Sequence, residues 1–559
     1  MNQLYRLIRE SGLSLPTFIL VSFLACASSL LAVLPPHFLG AAINAIVGAE
    51  ISGPAAAFSP IAPLNGWLSR LAGASSLPPL TIFLTLFFLF NLAYLLLRNV
   101  FAVLVCYCSD RFIVFIRREC FARIIRGEKP DLARFESGDL VHRVMNDTQQ
   151  LDYLIGNPLY TLCSDVLDLV WISAIVVMID WKILPVLISV IPLLYLISRK
   201  TGRLQRSYAL AIQHNEALGT GFIQRSALGL DTIKAYQGEQ REITDFNRLS
   251  GRNLATRQES NINLSFFFLQ EGVLRAAGTM AVIAYSAFLA TEDPTYIGVI
   301  PVLLIYTAKF YAPLGNWARY YQSIQRGLVS YQRIQEILAI GEERLHPAPP
   351  AGPEQVLPIK IDGSISFEPG GEVPLNLEVA EPGLIIVKGK SGVGKTRLIK
   401  SLIGLDCEFR GELKLGRTPL EKPGDIRNHV ALATQDGHFI PGTLGENLSY
   451  PSADIDEEKC RKILESLGLT YGPDHPVAEY GKNLSLGEQR RVIFGRALYS
   501  DKPVLILDEI DANVDGETRQ RLYRLIRQVM IEKVIIMISH IHSPELDGGR
   551  NLAVTISRS

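Results

Sequence analysis

Six long, mainly apolar stretches dominate the first part of the chain, and charged residues cluster between them. A helix needs about 20 mainly apolar residues to cross the hydrocarbon core of a bilayer. The stretches that reach or approach this length are residues 17–47, 80–108, 160–179, 183–197, 264–290 and 296–314. They predict six membrane-spanning helices. Pro35 and Pro36 should kink the first one, because proline removes a backbone donor and clashes with the preceding turn.

Lys and Arg residues are concentrated in two connections between these stretches. Eight lie between the second and third stretch and ten between the fourth and fifth. The other connections carry only Arg70 and Lys182. Short loops rich in Lys and Arg face the cytoplasm. We therefore predict a multi-pass protein of the cytoplasmic membrane, whose N-terminus and whose chain after the sixth span are cytoplasmic.

The composition agrees with a membrane part followed by a soluble part. The 559 residues are 48% hydrophobic and 20% charged, with a mean hydropathy of +0.21. Lys plus Arg and Asp plus Glu both number 55, so no net charge favours nucleic-acid binding. A Pro-rich stretch at residues 346–353 cannot form helix or central strand. We predict a transmembrane domain over residues 1–340, a linker over 341–358 and a soluble domain over 359–559.

The soluble part contains a glycine-rich loop between an apolar strand, residues 384–387, and a helical run, residues 397–403. The loop fits the pattern G-x-x-x-x-G-K-[ST] of a phosphate-binding loop. Its residues are Gly389, Lys390, Ser391, Gly392, Val393, Gly394, Lys395 and Thr396. Backbone N–H groups and the helix dipole attract phosphate there, Lys395 should reach the β- and γ-phosphates, and Thr396 should bind Mg²⁺. A chance glycine-rich turn is disfavoured by the flanking strand and helix.

A second apolar strand, residues 503–507, ends in Asp508 and Glu509. Taken alone, two carboxylates after a strand also suit the first turn of a helix. Beside a phosphate loop they predict a site of nucleotide hydrolysis. Asp508 would then hold the metal, directly or through water, and Glu509 would polarise the attacking water.

Further motifs around these two strands resemble those of ATP-binding cassette (ABC) ATPases. Leu-Ser-Leu-Gly-Glu at residues 484–488 is similar to the family's signature motif, about twenty residues before Glu509. Leu486 stands where the family usually has a second glycine. In the first part of the chain, residues 135–147 and 229–239 look like the two intracellular loops of an exporter-type half-transporter. The resemblance implies an all-α six-span domain of ABC exporter type, followed by an α/β P-loop ATPase domain.

The resemblance also implies roles for individual residues. Glu509, His540 and Gln435 would be catalytic, and Thr396, Gln435 and Asp508 would bind Mg²⁺. The nucleotide ATP would contact residues 389–396 together with four others: Ser485, Gly487, Glu488 and Asp515. In this family the phosphate loop and the signature motif that sandwich one ATP come from different copies of the domain. A homodimer is therefore expected, and a heterodimer is the alternative.

The expected function is ATP-driven primary active transport by alternating access. Export of a peptide or an amphiphilic small molecule is favoured, and a lipid flippase or a siderophore importer is the alternative. An ATP-gated channel or receptor is a hypothesis of a different class, which Glu509 disfavours because a gate does not require turnover.

Six ionisable residues fall within the apolar stretches: Arg98, Asp165, Asp168, Glu271, Arg275 and Lys309. An unpaired charge at the bilayer centre costs about 2.5–3.5 kcal/mol or more, so each should face a partner or water. Glu271 and Arg275 are spaced to pair on one helical face. The set predicts either intrabundle salt bridges or a polar translocation cavity.

Overall fold

The protein divides into two compact units, of residues 1–122 with 137–339 and of residues 123–136 with 340–559. The computed structural model describes residues 7, 9–12, 15–47, 78–292, 296–343, 356–366, 372–388, 394–405, 409–416, 418–420, 423–434, 437–512, 514–539 and 552–555.

The first unit is helical throughout its described residues. Its longer helices are α1 (Leu15–Val33), α2 (Pro35–Val47), α3 (Pro79–Arg126), α8 (Asn157–Asp180), α10 (Ile191–Leu228), α12 (Glu239–Glu292) and α13 (Tyr296–Leu338). Shorter helical pieces are α4 (Lys129–Leu132, in the second unit), α5 (Ser137–His142), a π-helical turn (Arg143–Asp147), α6 (Thr148–Gln150), α7 (Asp152–Ile155), α9 (Ile183–Ser189) and α11 (Leu230–Ala235). Among the described residues, six helical segments are long and apolar enough to cross a membrane, as the sequence predicts.

Proline explains the breaks in two of these segments. The helix that begins the chain's first span stops at Val33, and the next helix starts at Pro35, so the predicted kink is confirmed. In the fourth span, α9 ends at Ser189, and α10 begins two residues later with Pro192 in its first turn. Pro lacks an N–H and its fixed φ suits the first turn of a helix. The two spans are therefore built from consecutive shorter helices.

Direct ion pairs join α5 and the π-helical turn that follows it to the end of α13 within the first unit. Arg143 bonds Asp139 at 2.7 Å and Glu336 at 2.5 Å. Arg333 pairs with Asp147 at 3.2 Å and also with Asp139. These five side chains are called the ion-pair network below. Each of its cations meets two carboxylates, so the network holds the π-helical turn against the last helix of the unit.

The second unit contains two main sheets. The strands are β1 (Ile359–Ser366), β2 (Glu372–Val379), β3 (Gly383–Lys388), β4 (Phe409–Leu415), β5 (Thr418–Pro419), β6 (Val430–Ala433), β7 (Gly442–Thr443), β8 (Pro476–Val477), β9 (Val504–Asp508), β10 (Val534–Ile538) and β11 (Leu552–Thr555). One sheet is antiparallel, in the order β2-β1-β4-β5, and the other has the order β11-β3-β10-β9-β6 with parallel pairing throughout. A third, two-stranded sheet pairs β7 with β8.

Helices accompany these strands along the chain. They are α14 (Lys395–Leu402), α15 (Leu444–Ser449), α16 (Glu457–Ser466), α17 (Leu486–Tyr499) and α18 (Gly516–Val529), with 3₁₀ turns at Pro423–Asn428 and Glu479–Gly481.

The parallel sheet is buried on both faces. Leu384 and Ile386 of β3 belong to one core cluster, and Ile385 and Val387 belong to the other. Successive side chains on a strand point to opposite faces, so a parallel sheet covered on both sides needs a continuous apolar run. The run at residues 384–387 meets this need. The structure therefore has the predicted order of a helical part with six apolar segments followed by an α/β part.

A short segment from between α3 and α5 belongs to the second unit. Gly127 forms a β-bridge with Glu342, Glu128 N donates to Gly341 O at 3.1 Å, and Glu343 N donates to Arg126 O at 2.8 Å. The sequence alone does not indicate this grouping, because the partners are more than two hundred positions apart.

Candidate functional site

The described residues that are predicted to act on phosphate lie at the carboxyl ends of β3 and β9 in the parallel sheet. Strand β3 runs into the glycine-rich loop, of which Gly389, Lys390, Ser391, Gly392 and Val393 lie outside the described residues. The loop closes at Gly394, whose φ of +102° is a conformation that side-chain-bearing residues rarely adopt. Helix α14 starts at the next residue. The strand–loop–helix context expected for a phosphate loop is therefore present.

Lys395 and Thr396 occupy the first turn of α14, where orphan backbone N–H groups and the helix dipole favour an anion. Lys395 is only 5% exposed. Its positive charge also acts on the Asp508 carboxyl, where it opposes the rise in pKa that burial causes.

Thr396 and Asp508 meet across the sheet. Thr396 Oγ1 donates to Asp508 Oδ1 at 3.2 Å. Thr396 follows β3 and Asp508 ends β9. These two strands are not neighbours, because β10 lies between them in the sheet. Asp508 is 3% exposed, and burial raises the pKa of its carboxyl above the usual value, against the opposing effect of the Thr396 hydrogen bond. A hydroxyl and a buried carboxylate are oxygen donors of the kind that Mg²⁺ prefers, so these residues fit that ion.

Glu509 has a strained backbone, which sets the direction of its Cα–Cβ bond. Its φ is +51°, which is rare for a residue with a side chain and costs about 1–3 kcal/mol unless the surroundings enforce it. Glu509 N donates to Ile538 O at 3.1 Å, and the Glu509 carbonyl accepts from Ala512 N at 3.2 Å and from the Arg490 guanidinium. Strain held by three backbone contacts is typical of an active-site residue.

Arg490 is a residue whose role the sequence did not reveal. It lies in α17, directly after the signature-like motif, and is only 7% exposed. Its guanidinium donates to the Glu509 carbonyl, so the signature helix supports the position of the predicted catalytic carboxylate from within the same copy. In the sequence Arg490 is one of two arginines that follow Gln489, and nothing in that pattern distinguishes the buried one.

A buried carboxylate also ties β10 to α18. Asp511 is 1% exposed and accepts from Tyr523 Oη at 2.8 Å and from Ser539 Oγ at 2.6 Å. Ser539 immediately precedes His540, which lies outside the described residues, as does Gln435. The predicted catalytic roles of His540 and Gln435 stay predictions. Asp511, Tyr523 and Ser539 were not singled out from the sequence.

The signature-like motif begins helix α17. Ser485 is its N-cap, and Ser485 and Glu488 form a reciprocal capping box in which Ser485 N donates to Glu488 Oε2 at 2.8 Å. Leu486, in place of the family's usual glycine, is 64% exposed. Gly487 has open space where a Cβ would be. The start of this helix is therefore ordered by its own side chains and leaves Leu486 on the surface.

Asp515 caps helix α18. Its two carboxylate oxygens accept from Thr518 N at 2.9 Å and from Thr518 Oγ1 at 2.6 Å. These hydrogen bonds lower the pKa of the Asp515 carboxyl. Asp515 itself is exposed. The contacts give it a structural role in this copy, and its predicted contact with nucleotide stays a prediction.

The pair expected within the fifth span is confirmed. Glu271 is 4% exposed, and its carboxylate lies 3.5 Å from the Arg275 guanidinium one turn along α12. A half-exposed arginine thus neutralises a buried acid in the span.

The geometry defines a class of protein before any comparison is made. A phosphate loop and a pair of carboxylates at the end of a parallel sheet form a nucleotide-hydrolysing unit. The same chain carries six helices suited to a membrane.

Comparison with known proteins identifies the family. The family model described as ABC transporter transmembrane region matches residues 18–314, and the one described as ABC transporter matches residues 373–512. The chain belongs to the ABC transporters. It is a multi-pass membrane protein that binds ATP and couples its hydrolysis to transport.

Relatives cover most of the chain at low identity. An ATP-dependent lipid A-core flippase from Saccharophagus degradans is 25% identical over 455 residues, 76% of this chain and 74% of that protein. A probable multidrug resistance ABC transporter ATP-binding/permease protein, YheH, from Bacillus subtilis is 23% identical over 448 residues, 77% of this chain and 66% of that protein. The solved structure of a bacterial Atm1-family ABC exporter with ATP bound superposes with a TM-score of 0.74 at 17% identity, over 97% of this chain and 95% of that one. The fold is therefore of the exporter type.

Proposed function

We propose that this chain is an exporter of a peptide or amphiphilic small molecule, working as a homodimer in the cytoplasmic membrane by alternating access. Its domains would be the transmembrane domain of residues 1–340, the linker of residues 341–358 and the ATPase domain of residues 359–559. The basic connections and the ATPase domain would face the cytoplasm.

The observation that carries this proposal is the arrangement at the carboxyl end of the parallel sheet. The Thr396 hydroxyl lies 3.2 Å from the Asp508 carboxylate, and the strained Glu509 follows directly. Thr396, Asp508 and Gln435 would hold Mg²⁺, which neutralises developing phosphate charge when bound. Glu509 would orient and polarise the attacking water.

Each ATP would lie between two copies of the chain. One copy would supply the phosphate loop, residues 389–396, with His540 as a catalytic partner of Glu509. The other copy would supply Ser485, Gly487 and Glu488, with Asp515 nearby. Because both sets occur in every copy, a homodimer would have two competent sites.

The test is the conservative variant Glu509→Gln in purified full-length protein. It should abolish steady-state ATPase activity while ATP binding persists, because the amide keeps the shape but cannot accept the water's proton. The matched control is Glu465→Gln, on the exposed face of α16, which should hydrolyse ATP at the wild-type rate.

Two results would contradict the proposal. Near-normal ATP turnover in Glu509→Gln would show that Glu509 does not take part in hydrolysis. The second result is a Glu509→Gln protein that stays strictly monomeric in nanodiscs with saturating ATP, as measured by mass photometry. It would show that two copies do not share a nucleotide site.

A lipid flippase is the second candidate, favoured by the relatives named lipid A-core flippases. A fluorescent lipid that changes leaflet in proteoliposomes only with ATP and the intact Glu509 would favour it over peptide export.

A further inference from the structure

Four charged side chains from three helices lie together within the spans of the first unit. They are Arg98 of α3, Asp165 and Asp168 of α8, and Lys309 of α13. Two carry positive and two carry negative charge, and they are called the membrane charge cluster below. Placing charge at this depth is costly, so such residues in spans mark either a paired structural element or a ligand path.

The two acids of the cluster accept hydrogen bonds from neutral hydroxyls. Asp165 Oδ2 accepts from Tyr320 Oη at 2.9 Å, and Asp168 Oδ1 accepts from the Ser29 hydroxyl of α1. Asp165 and Asp168 are three residues apart, so they share a face of α8. Both are half-buried. The two acids are thus held in place by hydrogen bonds from neutral hydroxyl groups.

The two bases also have neutral partners. Lys309 Nζ donates to the Ala32 carbonyl at 2.5 Å, and Arg98 donates to Tyr94 Oη at 2.7 Å. Both cations face the Tyr94 ring, with Arg98 Cζ 5.9 Å and Lys309 Nζ 5.6 Å from its centroid. The Ala32 carbonyl belongs to α1, one turn from the serine that bonds Asp168. Each charge of the cluster therefore has at least one neutral hydrogen-bond partner.

Among the described residues, no direct ion pair links an acid of the cluster to a base, although Asp168 and Lys309 are close enough to attract each other. The ion-pair network of the same unit is built differently, since Arg143 bonds Asp139 directly at 2.7 Å. Intrabundle salt bridges were one expectation for these residues, and the contacts do not have that form. Charges that keep neutral partners remain available to a charged ligand.

We propose that the membrane charge cluster binds the transported molecule, and that this molecule is a zwitterion with an apolar body. Its anionic group would pair with Arg98 and Lys309, and its ammonium with Asp165 and Asp168. This inference rests on the proposed transport function and specifies its cargo. A purely anionic or purely cationic cargo would leave two of the four charges uncompensated, which the surrounding apolar helices disfavour.

Two kinds of molecule have this chemistry, a short apolar peptide with free termini and a lipid with a zwitterionic head. The peptide test uses one leucine-rich tetrapeptide in four forms: unmodified, N-acetylated, C-amidated and blocked at both ends. The lipid test compares nanodiscs of phosphatidylglycerol containing phosphatidylethanolamine with nanodiscs containing its N-acetylated form. The readout in both is ATPase stimulation over the basal rate of the same preparation.

The unmodified form from at least one source should stimulate the wild-type protein. For each singly blocked form, the concentration that gives half-maximal stimulation should be at least about tenfold higher, because the blocked form leaves two charges of the cluster without a partner. Stimulation by the peptide identifies a soluble cargo, and stimulation by phosphatidylethanolamine identifies a lipid.

Asp168→Asn sharpens the test, because the isosteric amide removes only one negative charge. In this variant the preference for the unmodified over the N-acetylated probe should shrink to about threefold or less, because the ammonium keeps only Asp165 of its two partners. The matched control is Asp180→Asn, at the C-terminal end of the same helix, in which the wild-type preference should persist.

Equal stimulation by free and blocked probes would overturn the inference, and so would the lack of stimulation by either zwitterion. The wild-type series decides this without any variant. Failure of the proposed function looks different: the wild-type protein would then show no ATPase activity that Glu509→Gln removes.

Discussion

The carboxyl end of the parallel sheet and the ion-pair network hold their charged residues in opposite ways. Asp508 is placed by the end of a strand, and its hydrogen-bond partner is the neutral Thr396 hydroxyl. Arg143 is placed by other charges, because it meets Asp139 and Glu336 directly. The first arrangement leaves a charge available for a ligand. In the second arrangement the charges pair with one another and join two parts of the fold.

This difference separates two kinds of consequence for a substitution. Where backbone geometry and neutral groups position a charge, replacing it should change activity more than stability. Where charges position one another, removing one leaves its partners buried and unmatched, so stability should fall. By this criterion the membrane charge cluster resembles the nucleotide site rather than the ion-pair network.

The largest effect is expected at the nucleotide site. Lys395→Ala should lower ATPase activity at least about a hundredfold, because it removes a nearly buried positive charge that we predict to contact phosphate. ATP binding and transport should be lost with it. Binding of a fluorescent ATP analogue to purified protein checks this, with Lys462→Ala on exposed α16 as control, since that side chain is 72% exposed. Wild-type ATP affinity in Lys395→Ala would contradict the assignment.

A smaller effect, on stability, is expected in the ion-pair network. Arg143→Gln should lower the free energy of unfolding by about 2 kcal/mol, because the Arg143 side chain is only 11% exposed and its loss leaves Glu336 without its ion pair and Asp139 with Arg333 alone. Arg248→Gln is the control, since that side chain is 70% exposed and its single pair is worth less than about 1 kcal/mol. Unfolding in detergent, followed by circular dichroism, measures both. Equal losses of unfolding free energy in Arg143→Gln and Arg248→Gln would show that the ion pairs of the network stabilise the fold no more than an exposed pair does.

The smallest change in stability is expected in the membrane charge cluster. Arg98→Gln makes the same chemical change as Arg143→Gln but removes a hydrogen bond to Tyr94 and a cation facing the Tyr94 ring, and no direct ion pair among the described residues. Its free energy of unfolding should therefore change by less than about 1 kcal/mol. The same unfolding measurement applies. A loss as large as that of Arg143→Gln would show that Arg98 serves the fold, and would remove the parallel with the nucleotide site.

Much of the fold could be predicted from local pattern. Apolar runs of helical length gave the six spans, and Pro35 with Pro36 gave the break between α1 and α2. The strand–loop–helix signal around Lys395 and the carboxylates after β9 marked the ends of two strands. These features depend on residues within one or two turns of each other, so the chain specifies them locally.

Other features could not be predicted, because they depend on residues far apart in the chain. The positive φ of Glu509 is enforced by Ile538 and Arg490. The grouping of residues 123–136 with the ATPase unit rests on contacts with Gly341 to Glu343. Neither leaves a periodic or compositional signal.

The sequence by itself determined which residues carry charge and which segments enter the membrane, since hydrophobicity and helix length decide the latter. It left open whether the charges within the spans neutralise one another. The pair of Glu271 and Arg275 is the exception, because the two residues lie four positions apart on one helix and the sequence predicts their contact. Only the tertiary structure decided that Asp168 and Lys309 each have a neutral partner on α1. The physical reason is that the pairing of charges depends on how separate helices pack, which no single stretch of sequence encodes.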